Sequence, residues 1–229
     1  MSFGSEYETA PSWAPGGDRL AIESNYDVLI QHTDATGQPE TMAGGSVVQM
    51  SPAWSRDRRS IVFVVFAAAT QFDVWVQPIG DKSPARAFLA TSFNEKSANL
   101  SPDGRHLIYV SDESGRDEVY VREFPSGQEK QQVSVTGGTL PKWSVRGDEL
   151  FFVAGNTLMA ASVQRTPAFS TGVPTALFTA AKVGASAIDY DVAADGKRFV
   201  VVRTLKAPER HAVVVESWLA RVTGQAGRR

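Results

Sequence analysis

The segment PKWSVRGDELFF, residues 141–152, sets out the unit from which the chain is built. Its third residue is tryptophan, a glycine follows four residues later, and a leucine follows seven residues later. Four further segments align with it without a gap: PSWAPGGDRLAI from residue 11, PAWSRDRRSIVF from 52, ANLSPDGRHLIY from 98 and YDVAADGKRFVV from 190. Internal repetition of this kind is interpreted before single residues, because a missed period changes the predicted fold.

Two positions of the repeat hold its most informative residues. The third position holds a large apolar residue, called the anchor here; the anchors are Trp13, Trp54, Leu100, Trp143 and Val192. Four residues after the anchor come Gly17, Gly104, Gly147 and Gly196, with Arg58 as the one departure. Successive anchors are separated by 41 residues (13 to 54), 46 (54 to 100), 43 (100 to 143) and 49 (143 to 192). This period is typical of the blades of a β-propeller.

The residue types of the unit predict its strands. The anchor ends a short first strand, and the glycine supplies the positive φ that a tight turn needs, so Arg58 predicts either a strained turn or a differently built one. The second strand is a nearly continuous apolar run, which predicts burial on both faces by neighbouring blades. Third strands are predicted at 27–31, 73–77, 118–122, 156–162 and 212–216, and fourth strands near 39–44, 85–90, 130–135 and 174–178.

The repeats predict an all-β fold: a propeller of five four-stranded antiparallel blades, or an incomplete six-bladed one. The segment SFGSEYE, residues 2–8, is expected to supply the outer strand of the last blade and so to remove exposed edges. We predict one domain over residues 1–229, with repeats at 10–45, 46–91, 92–138, 139–181 and 182–220 and a tail at 221–229. The anchors are expected to supply much of the stability, with a cost of about 3–5 kcal/mol for Trp143→Ala.

The composition excludes several classes of function. The net charge of −2, from 23 basic and 25 acidic residues, lacks the basic excess of proteins that bind nucleic acid. The chain has no cysteine, which excludes disulfides and thiolate metal sites. The longest apolar run, residues 61–69, is too short to span a membrane, and the N-terminus lacks the pattern of a signal peptide. We expect a monomeric, cytoplasmic chain without cofactor, metal or membrane insertion.

A dense charged loop separates the second and third strands of the third repeat. It contains Asp112, Glu113, Arg116, Asp117 and Glu118. Its oxygen ligands would suit calcium, but the spacing lacks the alternating order of a calcium loop, and a solvated hairpin tip is favoured. The histidines His32, His106 and His211 lie in different repeats without ligand spacing, which favours isolated surface or strand-end positions. Motifs for a serine or cysteine nucleophile are absent from the sequence.

Candidate binding residues lie in the connections between successive repeats, near 44–49, 91–97, 136–140 and 180–188. Among these, SFNEK at 92–96 carries the most varied chemistry, and Asn94, Glu95 and Lys96 are predicted to contact a ligand or partner. Alternatively, Asn94 and Glu95 form hydrogen bonds with a neighbouring turn and have no other role. Basic residues recur at one position of the opposite turns, namely Arg19, Arg59, Arg105 and Lys197. They form either a solvated rim or a docking surface for an acidic partner.

The segment SPDGRHLIYVSDESGRDEVYVREFP, residues 101–125, with ATSFNEKSANL before it and GGTLPKWSVRGDELFFV after it, resembles the WD40-like repeat of TolB-like propellers. It is most similar to the propellers attached C-terminally to bacterial serine/threonine protein kinases. The resemblance implies a sensing or scaffolding role and no catalytic residue, because the propeller of that family is not its catalytic part. The chain departs from the family in lacking both the additional α/β domain of TolB and the motifs of a kinase.

These observations predict a non-enzymatic propeller that binds a protein or a small ligand as a scaffold or sensor in signalling. The alternative is the accessory propeller of a larger enzyme, either a serine/threonine kinase or a peptidase or glycosidase. In a membrane-anchored kinase the propeller would be extracytoplasmic. A third interpretation is a structural repeat protein that assembles complexes, and in each case function rests on analogy of fold.

Overall fold

The computed structural model describes residues 8–42, 47–80, 83–179, 190–206 and 209–215, and in these ranges all regular structure is β-strand. The strands form five antiparallel sheets that follow one another along the chain. The first contains β1 (Glu8–Trp13), β2 (Arg19–Ser24), β3 (Asp27–His32) and β4 (Glu40–Thr41). The second contains β5 (Val48–Trp54), β6 (Ser60–Ala67), β7 (Gln71–Pro78) and β8 (Arg86–Leu89).

The remaining sheets continue the pattern with two variations. The third contains β9 (Glu95–Leu100), β10 (His106–Ser111), β11 (Glu118–Glu123) and β12 (Lys130–Gln132). The fourth contains β13 (Thr139–Trp143), β14 (Glu149–Ala154), β15 (Thr157–Gln164), β16 (Ser170–Thr171) and β17 (Thr175–Thr179). In it β16 and β17 both pair with β15, where one outer strand was predicted. The fifth contains β18 (Tyr190–Val192), β19 (Phe199–Lys206) and β20 (Glu209–Val215).

The four-stranded antiparallel sheets confirm the predicted all-β propeller class. The segment at 2–8 that was predicted to close the last blade lies outside the described residues, except for Glu8. The predicted connections at 44–49 and 180–188 are likewise described only in part or not at all, so the predicted number of blades and the closing strand stay predictions.

The second strands of the second, third and fourth sheets are buried on both faces, as their apolar runs predict. In the fifth sheet, Val200 of β19 is 40% exposed. In β10, Leu107 and Tyr109 contact the second sheet, whereas Ile108 and Val110 contact the fourth. The same alternation recurs in β14, where Phe151 packs towards the fifth sheet. Successive residues of a strand point to opposite faces, so a run without polar residues is needed wherever both faces meet another sheet.

The four anchors after Trp13 each pack against the sheet that precedes their own. Trp54 lies in a core with residues of the first sheet, Leu100 with the second, and Val192 packs against the fourth. Trp143 packs on the third sheet, and its indole N–H donates a hydrogen bond to the Asn99 carbonyl over 3.3 Å. The apolar cores therefore lie between successive sheets, and the anchors join them.

Trp13 departs from the prediction that the anchors are buried. Its exposed fraction is 61%, compared with 8% for Trp54 and 9% for Leu100. The physical reason is the packing rule itself, because an anchor is covered by the preceding sheet. Within the described ranges, the first sheet shares an apolar core only with the second. Trp13 therefore lies on a flank that the described part of the chain leaves uncovered.

The turns after the anchors share one geometry, and Arg58 adopts it. Its φ of 64° lies beside the 71° of Gly104 and the 68° of Gly147. The backbone N–H of Arg58 donates to the Ser55 carbonyl over 3.0 Å, as Gly104 donates to Ser101 over 2.8 Å. The prediction of a strained turn is confirmed, since an L-residue in the left-handed region costs roughly 1–2 kcal/mol.

Exchanging the residue types at this position should change stability in opposite directions. We expect Arg58→Gly to raise the free energy of unfolding by about 0.5 kcal/mol, because relief of strain outweighs the loss of an exposed ion pair with Asp18. Gly104→Ala should lower it by about 1 kcal/mol, because only the backbone is strained: an added methyl group at that site meets no atom within 4 Å. Urea midpoints of both variants measure the effects, and shifts of the same sign would contradict the common geometry.

Candidate binding surface

The two ends of the sheets carry different connections. At one end, called the loop face, lie the described turns from second to third strands and the described connections between successive sheets. At the other end, called the turn face, lie the turns that follow the anchors. Asn94, Glu95 and Lys96 belong to the loop face, where the chain enters β9. The charged turn at 112–117 lies at the same end of the third sheet, so the structure brings the two predicted features together.

Asn94 fastens the entry of β9 to the charged turn. Its backbone N–H donates to Asp112 Oδ1 over 2.9 Å, and its side-chain Nδ2 donates to Asp112 Oδ2 over 2.6 Å. These hydrogen bonds hold the pKa of the Asp112 carboxyl below its ordinary value. The Asn94 side-chain oxygen is buried and accepts no hydrogen bond from the described residues. Asn94 is thus primarily a clamp between two connections.

Glu95 lies beneath the surface. Its exposed fraction is 2%, and its carboxyl group accepts hydrogen bonds from the hydroxyl and, over 3.4 Å, the backbone N–H of Thr91. Burial raises its pKa, and the nearby carboxyl groups of Asp73 and Glu113 raise it further, whereas the Thr91 hydrogen bonds act in the opposite direction. Glu95 therefore supports the loop from below.

Lys96 has its charged group at the surface. Its Nζ lies 2.9 Å from Asp117 Oδ2, and both side chains are about one-third exposed, at 38% and 34%. Ion pairs at this exposure contribute little to stability, so the pair can open for a partner at small cost. Of the three predicted residues, Lys96 is the one whose charge a partner can reach directly.

Glu118 is a second buried carboxylate of the loop face, at the junction with the fourth sheet. It accepts hydrogen bonds from the Ser134 hydroxyl, from Arg116 Nε over 2.7 Å and from the Gly137 backbone N–H over 2.8 Å. Burial alone would raise its pKa, but these three donors together lower it. Glu118 was predicted only as part of the charged loop, and this role was missed. Asp73 of β7 holds the same repeat position, so the recurring acid was the available signal.

The charged loop is accounted for by contacts within the protein. Glu113 forms an ion pair with Lys130, with 2.6 Å between Glu113 Oε1 and Lys130 Nζ. Asp112, Asp117 and Glu118 have the partners given above. In the ranges that the structure covers, there is no cluster of three or more acidic, histidine or cysteine residues suited to a metal ion. These contacts are those of an ordered hairpin.

His32 and His106 are separate from this surface. His106 lies near the turn face, where its ring stacks on Phe169 at a centroid distance of 4.0 Å. Burial lowers its pKa, so the imidazole is favoured in its neutral form. His32 is exposed at the end of β3, and the side chain of His211 lies outside the described residues.

Apolar side chains at the loop face are unusually exposed. Tyr26, Phe93 and Val135 have exposed fractions of 68%, 41% and 66%. They lie respectively in the turn after β2, in the connection before β9 and in the connection before β13. Large apolar groups on a surface that also carries charges are typical of protein interfaces.

The fold and this surface define a β-propeller whose loop face carries exposed apolar and charged side chains. Residues 3–168 match the family model described as the TolB beta propeller domain. The chain therefore belongs to the TolB β-propeller family, which confirms the TolB-like resemblance; the likeness to kinase-associated propellers stays a prediction. A search of curated proteins found no match. Among the described residues there is no helix of a length and hydrophobicity that would cross a bilayer.

Solved structures of similar fold include TolB from Acinetobacter baumannii, at 16% identity and a TM-score of 0.71, covering 92% of this chain and 52% of that one. The putative TolB from Agrobacterium tumefaciens matches at 15% identity and a TM-score of 0.72, covering 93% of this chain and 78% of that one. A prolyl endopeptidase matches at 12% identity and a TM-score of 0.59, covering 93% of this chain and 34% of that one. The chain thus spans about half the length of the Acinetobacter protein, and identities this low show the fold alone.

Proposed function

We propose that this chain is a non-catalytic propeller that binds a protein partner through its loop face, as a scaffold or sensor in signalling. The observation that carries this proposal is the exposure of Phe93 beside the charged Lys96 on an ordered connection. Aromatic side chains are enriched at protein interfaces, and a charge that can exchange its partner adds electrostatic complementarity to such a contact.

The connection that presents Phe93 is held from two sides. The Phe93 backbone N–H donates to the Thr91 hydroxyl oxygen over 3.1 Å, and Thr91 is itself bonded to the buried Glu95. Asn94 ties the same segment to Asp112. Because the loop is already ordered in the free protein, less conformational entropy is lost when a partner binds to it. In this proposal Asn94 and Glu95 act as supports, and Phe93 and Lys96 make the contact.

Photo-crosslinking tests which face is used. A benzophenone amino acid at position 93 should capture a protein partner from a lysate of the source cells, whereas the same group at position 173, on an exposed loop, should not. The captured protein is then purified and its dissociation constant is measured. The double variant Phe93→Ala, Lys96→Ala should weaken binding about tenfold or more, the size of effect that central interface residues produce.

The matched control is Val173→Ala, Lys142→Ala, which also removes one exposed apolar group and one lysine. It should leave the dissociation constant within about twofold, because peripheral contacts contribute little. Equal weakening by both double variants would refute the assignment of the loop face. A small molecule retained at the loop face instead of a protein would favour the small-ligand alternative.

The second candidate is the accessory propeller of a larger enzyme. The specific observation in its favour is that a fold of this kind makes up only part of a prolyl endopeptidase, since the match covers 34% of that chain. A kinase parent is the other form of this candidate, and it would place the propeller outside the cytoplasm. The genomic reading frame upstream of Met1 distinguishes the candidates, because a catalytic domain encoded there in frame would favour the accessory role.

A further inference from the structure

A basic turn lies on the turn face, at the opposite end of the sheets from the proposed binding surface. The sequence SRDRRS, residues 55–60, carries three arginines, Arg56, Arg58 and Arg59. In the part of the chain that the structure describes, the guanidinium groups of Arg56 and Arg59 form no ion pair, and both residues are exposed. Two unpaired guanidinium groups therefore face solvent from one turn.

The nearby carboxylates are already engaged. Asp57 accepts hydrogen bonds from the Ser55 hydroxyl over 2.6 Å and from the Arg59 backbone N–H over 3.0 Å, and the first of these does most to lower its pKa. Asp18, on the neighbouring turn, pairs with Arg58 over 2.5 Å. The acids of these turns thus organise the backbone or hold Arg58 in place. Neither Arg56 nor Arg59 forms an ion pair with a described carboxylate, although the charge of Asp57 lies near that of Arg59.

Arg58 is not explained by the stability of the fold. It adopts a φ of 64°, at the position that glycine occupies in the other repeats. Its ion pair with Asp18 joins side chains that are 38% and 49% exposed, and pairs in such surroundings contribute little stability. Strained residues of this kind concentrate at functional sites. A side chain that strains the backbone and contributes little to stability indicates a functional role.

We propose that Arg56, Arg58 and Arg59, together with Arg19 at the start of β2, form a docking surface for an acidic protein segment. Arg19 extends the surface across the blade junction, where its guanidinium lies 4.9 Å from the centre of the Trp54 ring and is oriented by it. Guanidinium groups bind carboxylates through paired hydrogen bonds, which gives arginine-rich surfaces selectivity for aspartate and glutamate. The arginines lie on one turn and at the start of the neighbouring strand, and they lack the extended basic surface that phosphate-backbone binding needs, which favours a short acidic protein segment over nucleic acid.

The test measures binding of a short fluorescein-labelled peptide of alternating glutamate and alanine to the full chain by fluorescence anisotropy at about 0.1 M salt, where the Debye length is about 10 Å. We expect saturable binding that the double reversal Arg56→Glu, Arg59→Glu weakens about tenfold or more, since opposed charges become like charges. The control Lys130→Glu, Lys142→Glu makes the same change of net charge at sites away from this turn. It should change affinity by less than about threefold, because distant exposed charges are largely screened.

Arg58→Gly separates docking from folding. It should weaken peptide binding severalfold while the protein becomes no less stable, a combination that damage to the fold cannot produce. Absence of saturable peptide binding, equal loss in both double reversals, or unchanged binding by Arg58→Gly would each overturn the proposal. Tighter binding of a labelled DNA duplex than of the peptide, with the same sensitivity to Arg56 and Arg59, would overturn it in favour of nucleic acid.

Discussion

Replacing Trp54 with alanine is expected to lower the free energy of unfolding by about 3–5 kcal/mol, the range typical of large-to-small changes in a core. Trp54 is 8% exposed and lies in the apolar core that joins the first two sheets, together with Ala21 of the first sheet and Phe63 of the second. Removing the ring leaves a cavity at a junction between rigid sheets, which relax only partly. Urea unfolding at neutral pH, with constant slope, measures the loss.

Trp13→Ala is the matched control, because it removes the same side chain from the same repeat position. Because 61% of the Trp13 surface is already exposed, Trp13→Ala should lower the free energy of unfolding by less than about 1 kcal/mol. The half-buried Trp143 should fall between the two, at about 2–3 kcal/mol, below the range expected from the sequence. Equal losses at all three positions would contradict the rule that each anchor packs on the preceding sheet.

Trp54→Phe isolates the contribution of the ring. The indole N–H of Trp54 is buried and donates to no atom of the described residues. Phenylalanine removes this unpaired donor and keeps most of the apolar contact, so the expected cost is only about 1 kcal/mol. A loss as large as that of the alanine variant would show that the indole N–H makes a contact that matters.

The repeat could be predicted because its key positions restrict residue type strongly. The turn needs a positive φ, which glycine provides at four of five copies, and the doubly covered strand excludes polar residues. Arg58 was recognised as strained for the same reason. At positions of this kind, the residue type alone predicts the local structure.

A recurring irregularity in the first strands could not be predicted. The residue three before the anchor has a positive φ in four copies: Ala10, Ser51, Ser97 and Leu140, with values of 48°, 52°, 54° and 53°. The pairing with the second strand shifts at this point in each of the four sheets. Alanine, serine and leucine share no preference for this conformation, so the bulge is imposed by packing between sheets and has no sequence signature.

The position of the candidate residues in the fold could be predicted, but the contacts of their side chains could be predicted only in part. The sequence placed Asn94, Glu95 and Lys96 in one connection between sheets, and the structure puts them beside the charged turn. Burial of Glu95 was not foreseeable, since it depends on the neighbouring sheet, which supplies Asp73. The exposed apolar groups were missed because exposure of Tyr26 and Val135 depends equally on what lies next to them. A role of Asn94, Glu95 and Lys96 in binding stays a prediction.

Glu118→Gln and Glu95→Gln are expected to change stability at neutral pH in opposite directions. Glutamine at position 118 keeps the shape of the side chain but loses the charge that Arg116, Ser134 and Gly137 neutralise or solvate. Hydrogen bonds to a charged buried group contribute about 1.5–3 kcal/mol, so the free energy of unfolding should fall by about 2–3 kcal/mol. At position 95, glutamine removes a carboxylate that is buried near two others, and stability should rise by about 1 kcal/mol.

The pH dependence of the two variants separates these causes. The pKa of Glu118 is lowered in the folded protein, so its contribution is present above the ordinary value of 4.5 and is lost as pH falls through the lowered pKa. The difference between wild type and Glu118→Gln should therefore shrink in acid. The pKa of Glu95 is raised, so its contribution is complete below 4.5 and is lost as pH rises through the raised pKa.

The advantage of Glu95→Gln over wild type should accordingly be small near pH 4.5 and should grow as pH rises towards neutrality. Urea unfolding of the two variants and wild type at a series of pH values measures both trends against one reference, which cancels the titration of all other groups. Because both glutamates lie at the loop face, at neighbouring sheet junctions, general weakening of that face would move both variants in the same direction. Parallel curves for the two variants would thus contradict the assignment of Glu118 as a satisfied carboxylate and Glu95 as an uncompensated one.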